Sequence, residues 1–146
     1  MSYEFKWNHQ VEFAETDMAG IVHFANFFRY MENAEHAFLR SLGTSVHVKE
    51  AERTVGWPRV HASCDYKSPL RFEDEVEIHL LVREKKAKSL TYDFVFRKRE
   101  GEAWQEVAQG RVTAVCVAID SATGQMKAVP IPEQIANQIE VAPGGE

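Results

Sequence analysis

One amphipathic helical pattern limits what this chain can fold into. Between residues 24 and 42, apolar side chains recur at intervals of three and four residues, as on the buried face of a helix: they are Phe24, Phe27, Phe28, Met31, Ala34, Phe38 and Leu42. Gly43 follows them as a natural C-terminal cap. A helix of this length with so apolar a face needs a sheet on which to lie.

The remaining sequence supplies that sheet. Residues 3–13 alternate between apolar and polar side chains, and four further strand patterns follow at residues 55–66, 75–84, 89–98 and 104–119. Short polar connections join these patterns, and a short C-terminal helix is expected to begin at residues 130–132. The order of elements predicts an α+β fold in which a curved, mainly antiparallel sheet of five strands wraps around one long helix.

Length, charge and cysteine content narrow the class of protein. The 146 residues are most simply one domain, residues 1–138, followed by a flexible tail at 139–146. The formal net charge of −5 argues against nucleic acid as the main partner. No apolar run approaches the length of a membrane span, the first residues lack a signal-peptide pattern, and Cys64 and Cys116 fit buried, reduced thiols. We expect a cytoplasmic protein without a membrane partner.

The loop before the helix holds the residues best suited to chemistry. Asp17 stands close to the helix N-terminus, where backbone N–H groups have no partner within the helix. Gly20 gives the backbone freedom to turn just before the helix begins. On spacing alone Asp17 fits two roles about equally: a turn or capping residue, or a carboxylate that attacks a substrate or accepts a proton from water. Glu15, two residues earlier, is interpreted as a solvated carboxylate.

Two segments resemble a known family. The run Phe13-x-Glu15-Thr16-Asp17-x-x-Gly20-Ile21-Val22-His23-Phe24-x-Asn26-Phe27-x-x-Tyr30-x-Glu32 is similar to the hot-dog-fold acyl-CoA thioesterases of the 4-hydroxybenzoyl-CoA thioesterase type. Residues 66–76 resemble the turn into the third strand of that family. The resemblance covers residues 3–135 and implies a hot-dog fold, hydrolysis of an acyl-CoA thioester, and a homo-oligomer (a dimer, paired into a tetramer) with active sites between subunits.

The resemblance also implies roles for individual residues. Asp17 matches the catalytic carboxylate, which acts as nucleophile or as general base toward water, and the backbone N–H of Phe24 matches the donor that polarises the thioester carbonyl. Lys86 and Lys88 fall near basic positions that meet the phosphates of coenzyme A in some members, although charge runs are usually solvated turns. His23 departs from the pattern, because some relatives place a histidine seven residues after the aspartate and this chain has one after six.

Further candidates follow the loop. Asn26 either binds substrate or water, or holds the loop that presents Asp17, and Gly20 is included among the substrate-binding residues. The second strand pattern, which borders the acyl pocket in hot-dog folds, adds four more: Trp57, Arg59, His61 and Ser63. There Trp57 would bound the acyl group, with core packing an equal alternative, and Ser63 would orient the leaving sulfur or a water.

The sequence leaves two alternative functions open. One is a hydratase or dehydratase of acyl thioesters, for which His23 or His61 would serve as the base, and the other is a non-catalytic protein that binds acyl-CoA. Neither a zinc-ligand spacing nor a glycine-rich phosphate loop is present, and Glu32 with His36 offers too few ligands for a metal. No cofactor is expected beyond the coenzyme A of the substrate itself.

Overall fold

Two helices and nine strands form within residues 1–144, which the computed structural model describes. In chain order they are β1 (Glu4–Gln10), α1 (Asn26–Ser41), β2 (Val48–Lys49), β3 (Arg53–Gly56), β4 (Arg59–Tyr66), β5 (Glu75–Lys85), β6 (Ser89–Glu100), β7 (Ala103–Val115), β8 (Val117–Asp120), β9 (Met126–Ala128) and α2 (Glu133–Ala136). A short 3-10 turn, Phe13–Glu15, begins the connection between β1 and α1.

The long helix lies where the sequence predicted it, although it begins two residues later. Phe24 and Ala25 form a turn ahead of the helix, and their carbonyls accept the N–H groups of Phe27 and Phe28. Gly43 has a φ of 83°, the left-handed conformation expected of a residue that ends a helix. The predicted apolar face is buried at Phe27, Met31, Ala34, Phe38 and Leu42, whereas Phe24 is 63% exposed.

Five strands form the sheet that α1 covers, in the order β1-β5-β6-β7-β4, and every neighbouring pair is antiparallel. Phe38 of α1 meets Tyr92 edge-on with 6.1 Å between ring centroids, and Phe27 meets Phe96 at 5.3 Å. Most of the buried side chains of β5 and β6 are large and apolar, among them Ile78, Leu80, Tyr92, Phe94 and Phe96. The predicted α+β fold, one helix on a five-stranded antiparallel sheet, is confirmed.

Two of the predicted strands are each divided between two sheets. The pattern at residues 55–66 is interrupted by Trp57 and Pro58, and the pattern at 104–119 is interrupted by Cys116. Proline has no N–H to donate to a ladder, which ends β3 before β4 begins. The start of the first pattern, β3, and the end of the second, β8, belong to a small second sheet with the order β2-β3-β8-β9. The sequence did not predict this second sheet.

The chain continues to contact the rest of the fold after residue 138, the predicted end of the domain. Ile139 is fully buried and bridges Ser2, and the N–H of Ala142 donates to the carbonyl of Val82 at 2.8 Å. Residues 145–146 of the predicted tail lie outside the described residues. Cys116 is buried and Cys64 is half-buried, both as free thiols. Neither helix within residues 1–144 has the length and apolar character needed to cross a membrane.

Candidate active site

Asp17 lies in a closed loop between β1 and α1. Its N–H donates to the carbonyl of Ile21 at 2.8 Å, and Gly20 makes the intervening turn with a φ of 82°. One carboxylate oxygen, Oδ1, accepts the N–H of Ala19 at 2.9 Å. No residue within 1–144 donates a hydrogen bond to the other oxygen, Oδ2. Asp17 therefore stabilises its own turn, which fits the turn or capping role considered for it from the sequence. Its second carboxylate oxygen stays available to a substrate or a water.

The turn ahead of α1 presents a backbone donor. The N–H of His23 donates to the carbonyl of Glu15 at 2.9 Å, and the N–H of Ala25 donates to Nδ1 of His23 at 3.2 Å. Between them, the N–H of Phe24 has no acceptor among the described residues. This is the group to which the family resemblance assigned the role of hydrogen-bond donor to a substrate carbonyl.

Asp17 and Phe24 border the same groove, which has a volume of about 500 Å³. Its walls are largely apolar, and the edge strand β4 contributes Tyr66 at one side. The hydroxyl of Tyr66 donates to the carbonyl of Phe24 at 3.0 Å, and its ring meets the ring of Phe27 edge-on at 5.0 Å. The groove thus combines an unpaired carboxylate oxygen, an unpaired N–H and apolar walls. Acyl transfer to water needs an oxygen base or nucleophile and a donor for the developing oxyanion, so this arrangement suits it.

A network behind the loop anchors it to β1 and α1. Oε1 of Glu15 accepts hydrogen bonds from the N–H of Glu12 and the hydroxyl of Tyr30, both at 2.8 Å, and lies 2.9 Å from Nε2 of His9. Burial raises the pKa of the Glu15 carboxyl, but the hydrogen bonds from Glu12, His9 and Tyr30 outweigh it and leave the pKa lowered. The interpretation of Glu15 as a solvated carboxylate is therefore wrong, because the fold brings partners to it from two other elements.

His23 and Asn26 lie beside the groove and not on its walls. The His23 side chain is exposed, and its ring stacks on that of Phe24. Its Nδ1 accepts the N–H of Ala25 in the turn ahead of α1. Nδ2 of Asn26 donates to the carbonyl of Glu15 at 2.8 Å. Of the two roles left open for Asn26, this contact fits the one in which it holds the loop.

Arg59 belongs to a second cluster, farther along the cleft between α1 and β4. Its guanidinium binds the carboxylate of Glu35, which is only 2% exposed, and donates to the carbonyl of Trp57 at 2.6 Å. Burial raises the pKa of Glu35 to about 7, although the charge of Arg59 opposes the shift. Oε2 of Glu35 and the hydroxyl of Tyr92 are buried without a hydrogen-bond partner among the described residues. An apolar cavity of about 210 Å³ adjoins this pair.

The other sequence candidates do not meet Asp17 within one chain. Trp57 is buried in the core, next to the small second sheet, which fits the core-packing alternative. His61 and Ser63 lie 3.3 Å apart on the face of β4 opposite to that of Tyr66, away from α1. Within residues 1–144, no three His, Cys, Asp or Glu side chains lie close enough together to hold a metal ion.

The two lysines lie at the far end of the sheet. Lys86 and Lys88 occupy the hairpin turn between β5 and β6, whereas the Asp17 loop follows the end of β1 that pairs with the start of β5. At about 3.4 Å per residue, the ten steps of β5 separate its ends by roughly 34 Å. Neither lysine lines the Asp17 groove of the same chain.

Similar proteins are found by sequence and by structure. A family profile described as the thioesterase-like superfamily matches residues 11–139. A protein of Aquifex aeolicus, provisionally named an esterase, is 36% identical over 96 residues, which cover 66% of this chain and 74% of that protein. A 1,4-dihydroxy-2-naphthoyl-CoA hydrolase of Synechococcus elongatus is 29% identical over 140 residues, covering 94% of this chain and 96% of the relative. The solved structure of a gentisyl-coenzyme A thioesterase has a TM-score of 0.74 at 29% identity, covering 90% of this chain and 97% of that one.

Proposed function

Because this chain belongs to the thioesterase-like superfamily and has the hot-dog fold predicted from its sequence, we propose that it hydrolyses an acyl-CoA thioester to the free acid and coenzyme A. One observation carries the proposal. The unpaired Oδ2 of Asp17 and the unpaired N–H of Phe24 border one apolar groove, at the turn that begins the long helix.

The proposed chemistry divides the work between these two groups. Asp17 either attacks the thioester carbon, releasing the coenzyme A thiolate and leaving an anhydride that water hydrolyses, or takes a proton from a water that attacks directly. In both routes the carbonyl oxygen gains negative charge, and the Phe24 N–H donates to it. A preorganised donor of this kind typically contributes about 3 kcal/mol of transition-state stabilisation.

The proposed acyl group is a hydroxylated aromatic acid. Two of the similar proteins named above act on coenzyme A esters of such acids, a dihydroxynaphthoate and gentisate. The groove fits this class, because the rings of Phe27 and Tyr66 provide aromatic surface next to Asp17. We further propose that the active unit is a homo-oligomer, in which Lys86 and Lys88 of one chain approach the coenzyme A phosphates bound to another.

The test is thiol release from a panel of acyl-CoAs with short, long, branched, aromatic and hydroxyaromatic acyl groups. We expect hydroxyaromatic esters to be the best substrates and Asp17→Asn to lower kcat by roughly 10³-fold or more, since it removes the base or nucleophile and keeps the side-chain shape. Asp120→Asn is the matched control. Asp120 caps its own turn through the N–H groups of Ala122 and Thr123, far from the groove, and its variant should keep full activity. Unchanged turnover in Asp17→Asn would contradict the proposal.

The hydratase alternative lacks its histidine base in this groove. No histidine among the described residues lines it, and His61 lies on the opposite face of β4. The same panel separates the three functions, because a hydratase would add water to an enoyl thioester without releasing thiol. A binding protein would hold the acyl-CoA and release nothing.

A further inference from the structure

Glu15 is the point at which the Asp17 loop is attached to the rest of the fold. Its carboxylate binds three groups that come from three places: the N–H of Glu12 in the loop, the ring of His9 on β1 and the hydroxyl of Tyr30 on α1. The loop closes as an antiparallel bridge between Thr16 and Val22, in which the N–H of Asp17 donates to the carbonyl of Ile21 and the N–H of His23 donates to the carbonyl of Glu15. Strand, loop and helix therefore converge on a residue two positions from Asp17.

The carbonyl of Glu15 constrains the second group of the proposed site. It accepts the N–H of His23 at 2.9 Å and the side-chain amide of Asn26 at 2.8 Å. The N–H of His23 is turned toward this carbonyl, and the next N–H along the chain, that of Phe24, has no acceptor among the described residues. One residue thus holds the loop that carries Asp17 and the turn that presents the Phe24 donor.

The partners of Glu15 are themselves held in place. Tyr30 is 1% exposed within the core, and the ring of His9 stacks on that of Trp7 with 5.0 Å between centroids and 10° between planes. The hydrogen bonds that these groups make keep the pKa of Glu15 lowered despite its burial, so the carboxylate stays an acceptor for all three donors. An anchor built from buried, stacked groups has little freedom to shift.

We propose that Glu15 is a positioning residue of the hydrolytic site: it fixes the Asp17 carboxylate and the Phe24 N–H relative to each other without touching the substrate. This inference rests on the proposed function. The expected effect is large, because a displacement of about 1 Å between a reacting atom and its substrate can lower a rate by about 10²-fold. We expect a larger effect on kcat than on KM. Substrate binding involves the whole groove, whereas the geometry of attack depends on the Asp17 carboxylate and the Phe24 N–H.

Two near-isosteric variants and one control test the inference. Glu15→Gln keeps one acceptor oxygen, removes the negative charge, and puts an amide donor in place of the other oxygen, where Oε2 of Glu15 lies 3.0 Å from Nε2 of His9. Tyr30→Phe removes one donor and keeps the ring, and it carries the test if Glu15→Gln does not fold. We expect kcat to fall about 10²-fold in the first and about tenfold in the second, with KM within about threefold of wild type. Glu4→Gln is the control, because it breaks the other His–Glu pair of β1, with His79, and should keep kcat unchanged.

Amide hydrogen exchange of residues 16–24 gives a readout that needs no activity. Exchange in this segment should be faster in Glu15→Gln and Tyr30→Phe than in Glu4→Gln, measured where all three are fully folded. A kcat within twofold of wild type in both variants overturns the inference even if hydrolysis itself is established. If wild-type protein hydrolyses no thioester, the proposed function fails separately. In that case hydrogen exchange alone tests the role of Glu15. Exchange of residues 16–24 that is no faster in Glu15→Gln than in Glu4→Gln overturns it.

Discussion

Two carboxylates of this chain show how the surroundings of a residue decide its chemistry. Asp17 sits in a turn at the protein surface with one oxygen left unpaired, whereas Glu35 is enclosed between α1 and the sheet beside Arg59. A buried ion pair of this kind is weak evidence for stability, because removing both charges from water costs about as much as their attraction returns. The unpaired Oε2 of Glu35 adds to that cost.

We expect Glu35 to make the protein less stable as the pH rises. Burial raises its pKa from 4.5 to about 7 in the folded chain, so at intermediate pH the folded state holds a proton that the unfolded state has released. The free energy of unfolding therefore falls between about pH 4.5 and pH 7, by roughly 3 kcal/mol if the whole shift is expressed. The Glu35→Gln variant lacks this contribution.

Denaturant unfolding of wild type and Glu35→Gln across this pH range measures the effect. The stability difference between them should move in favour of the variant as the pH rises, while contributions from all other groups cancel. A difference that stays constant from pH 5 to pH 8 would mean that Glu35 is already ionised in the folded chain at low pH.

At the scale of elements, the packing of the Met31 side chain of α1 against β7 depends on one small residue. Gly110 lies in β7 between Cys64 of β4 and Phe94 of β6, directly beneath Met31 of the helix. A β-carbon at this position would lie 2.4 Å from Sδ of Met31 and 3.1 Å from the carbonyl oxygen of Ser63. Met31 therefore occupies the space that a side chain at position 110 would need.

Gly110→Ala should destabilise the protein by about 1–3 kcal/mol, because Met31 must move and the neighbouring strand has little room to yield. Gly56→Ala is the matched control. Gly56 is also a strand glycine, but a β-carbon there would have no neighbour within 4 Å. The midpoints of urea unfolding should separate the two variants, and equal midpoints would show that Met31 repacks without cost.

On the scale of the whole molecule, β4 is an edge that one chain leaves open. It pairs with β7 on one side only, and Val60 and Tyr66 on this strand are 65% and 44% exposed. An unpaired edge strand with exposed apolar residues is a template for pairing with another chain. The Asp17 groove opens beside the same strand, which links the expected oligomer to the proposed site.

We therefore predict a homo-oligomer in solution that forms through β4. Val60→Lys places a charge on the exposed edge and should shift the protein toward monomer in light-scattering measurements. Thiol release should fall with it, because in the proposed oligomer Lys86 and Lys88 of one chain approach the coenzyme A bound to another. A wild-type protein that is monomeric and fully active would exclude the shared-site arrangement.

The sequence by itself determined the features that arise from local patterns. The spacing of Phe27, Met31 and Phe38 gave the long helix, alternation gave the strands, and the positive φ of Gly20 and Gly43 follows from what glycine alone adopts without strain. The Asp17 loop was recognisable for the same reason, since its residues are contiguous. The roles of Asp17 and Phe24 remain proposals, but their places in the fold did not need tertiary information.

Only the tertiary structure decided which distant residues meet. It joined Glu15 to His9 and Tyr30, buried Glu35 against Arg59, and turned His61 and Ser63 to the face of β4 away from the groove. It also set Lys86 and Lys88 at the far end of β5, outside the reach of Asp17 in the same chain. These outcomes depend on strand order, on which face of each strand packs against α1, and on burial. Each of these is a property of contacts between segments that are far apart in sequence, and such contacts leave no periodic signal in any one segment.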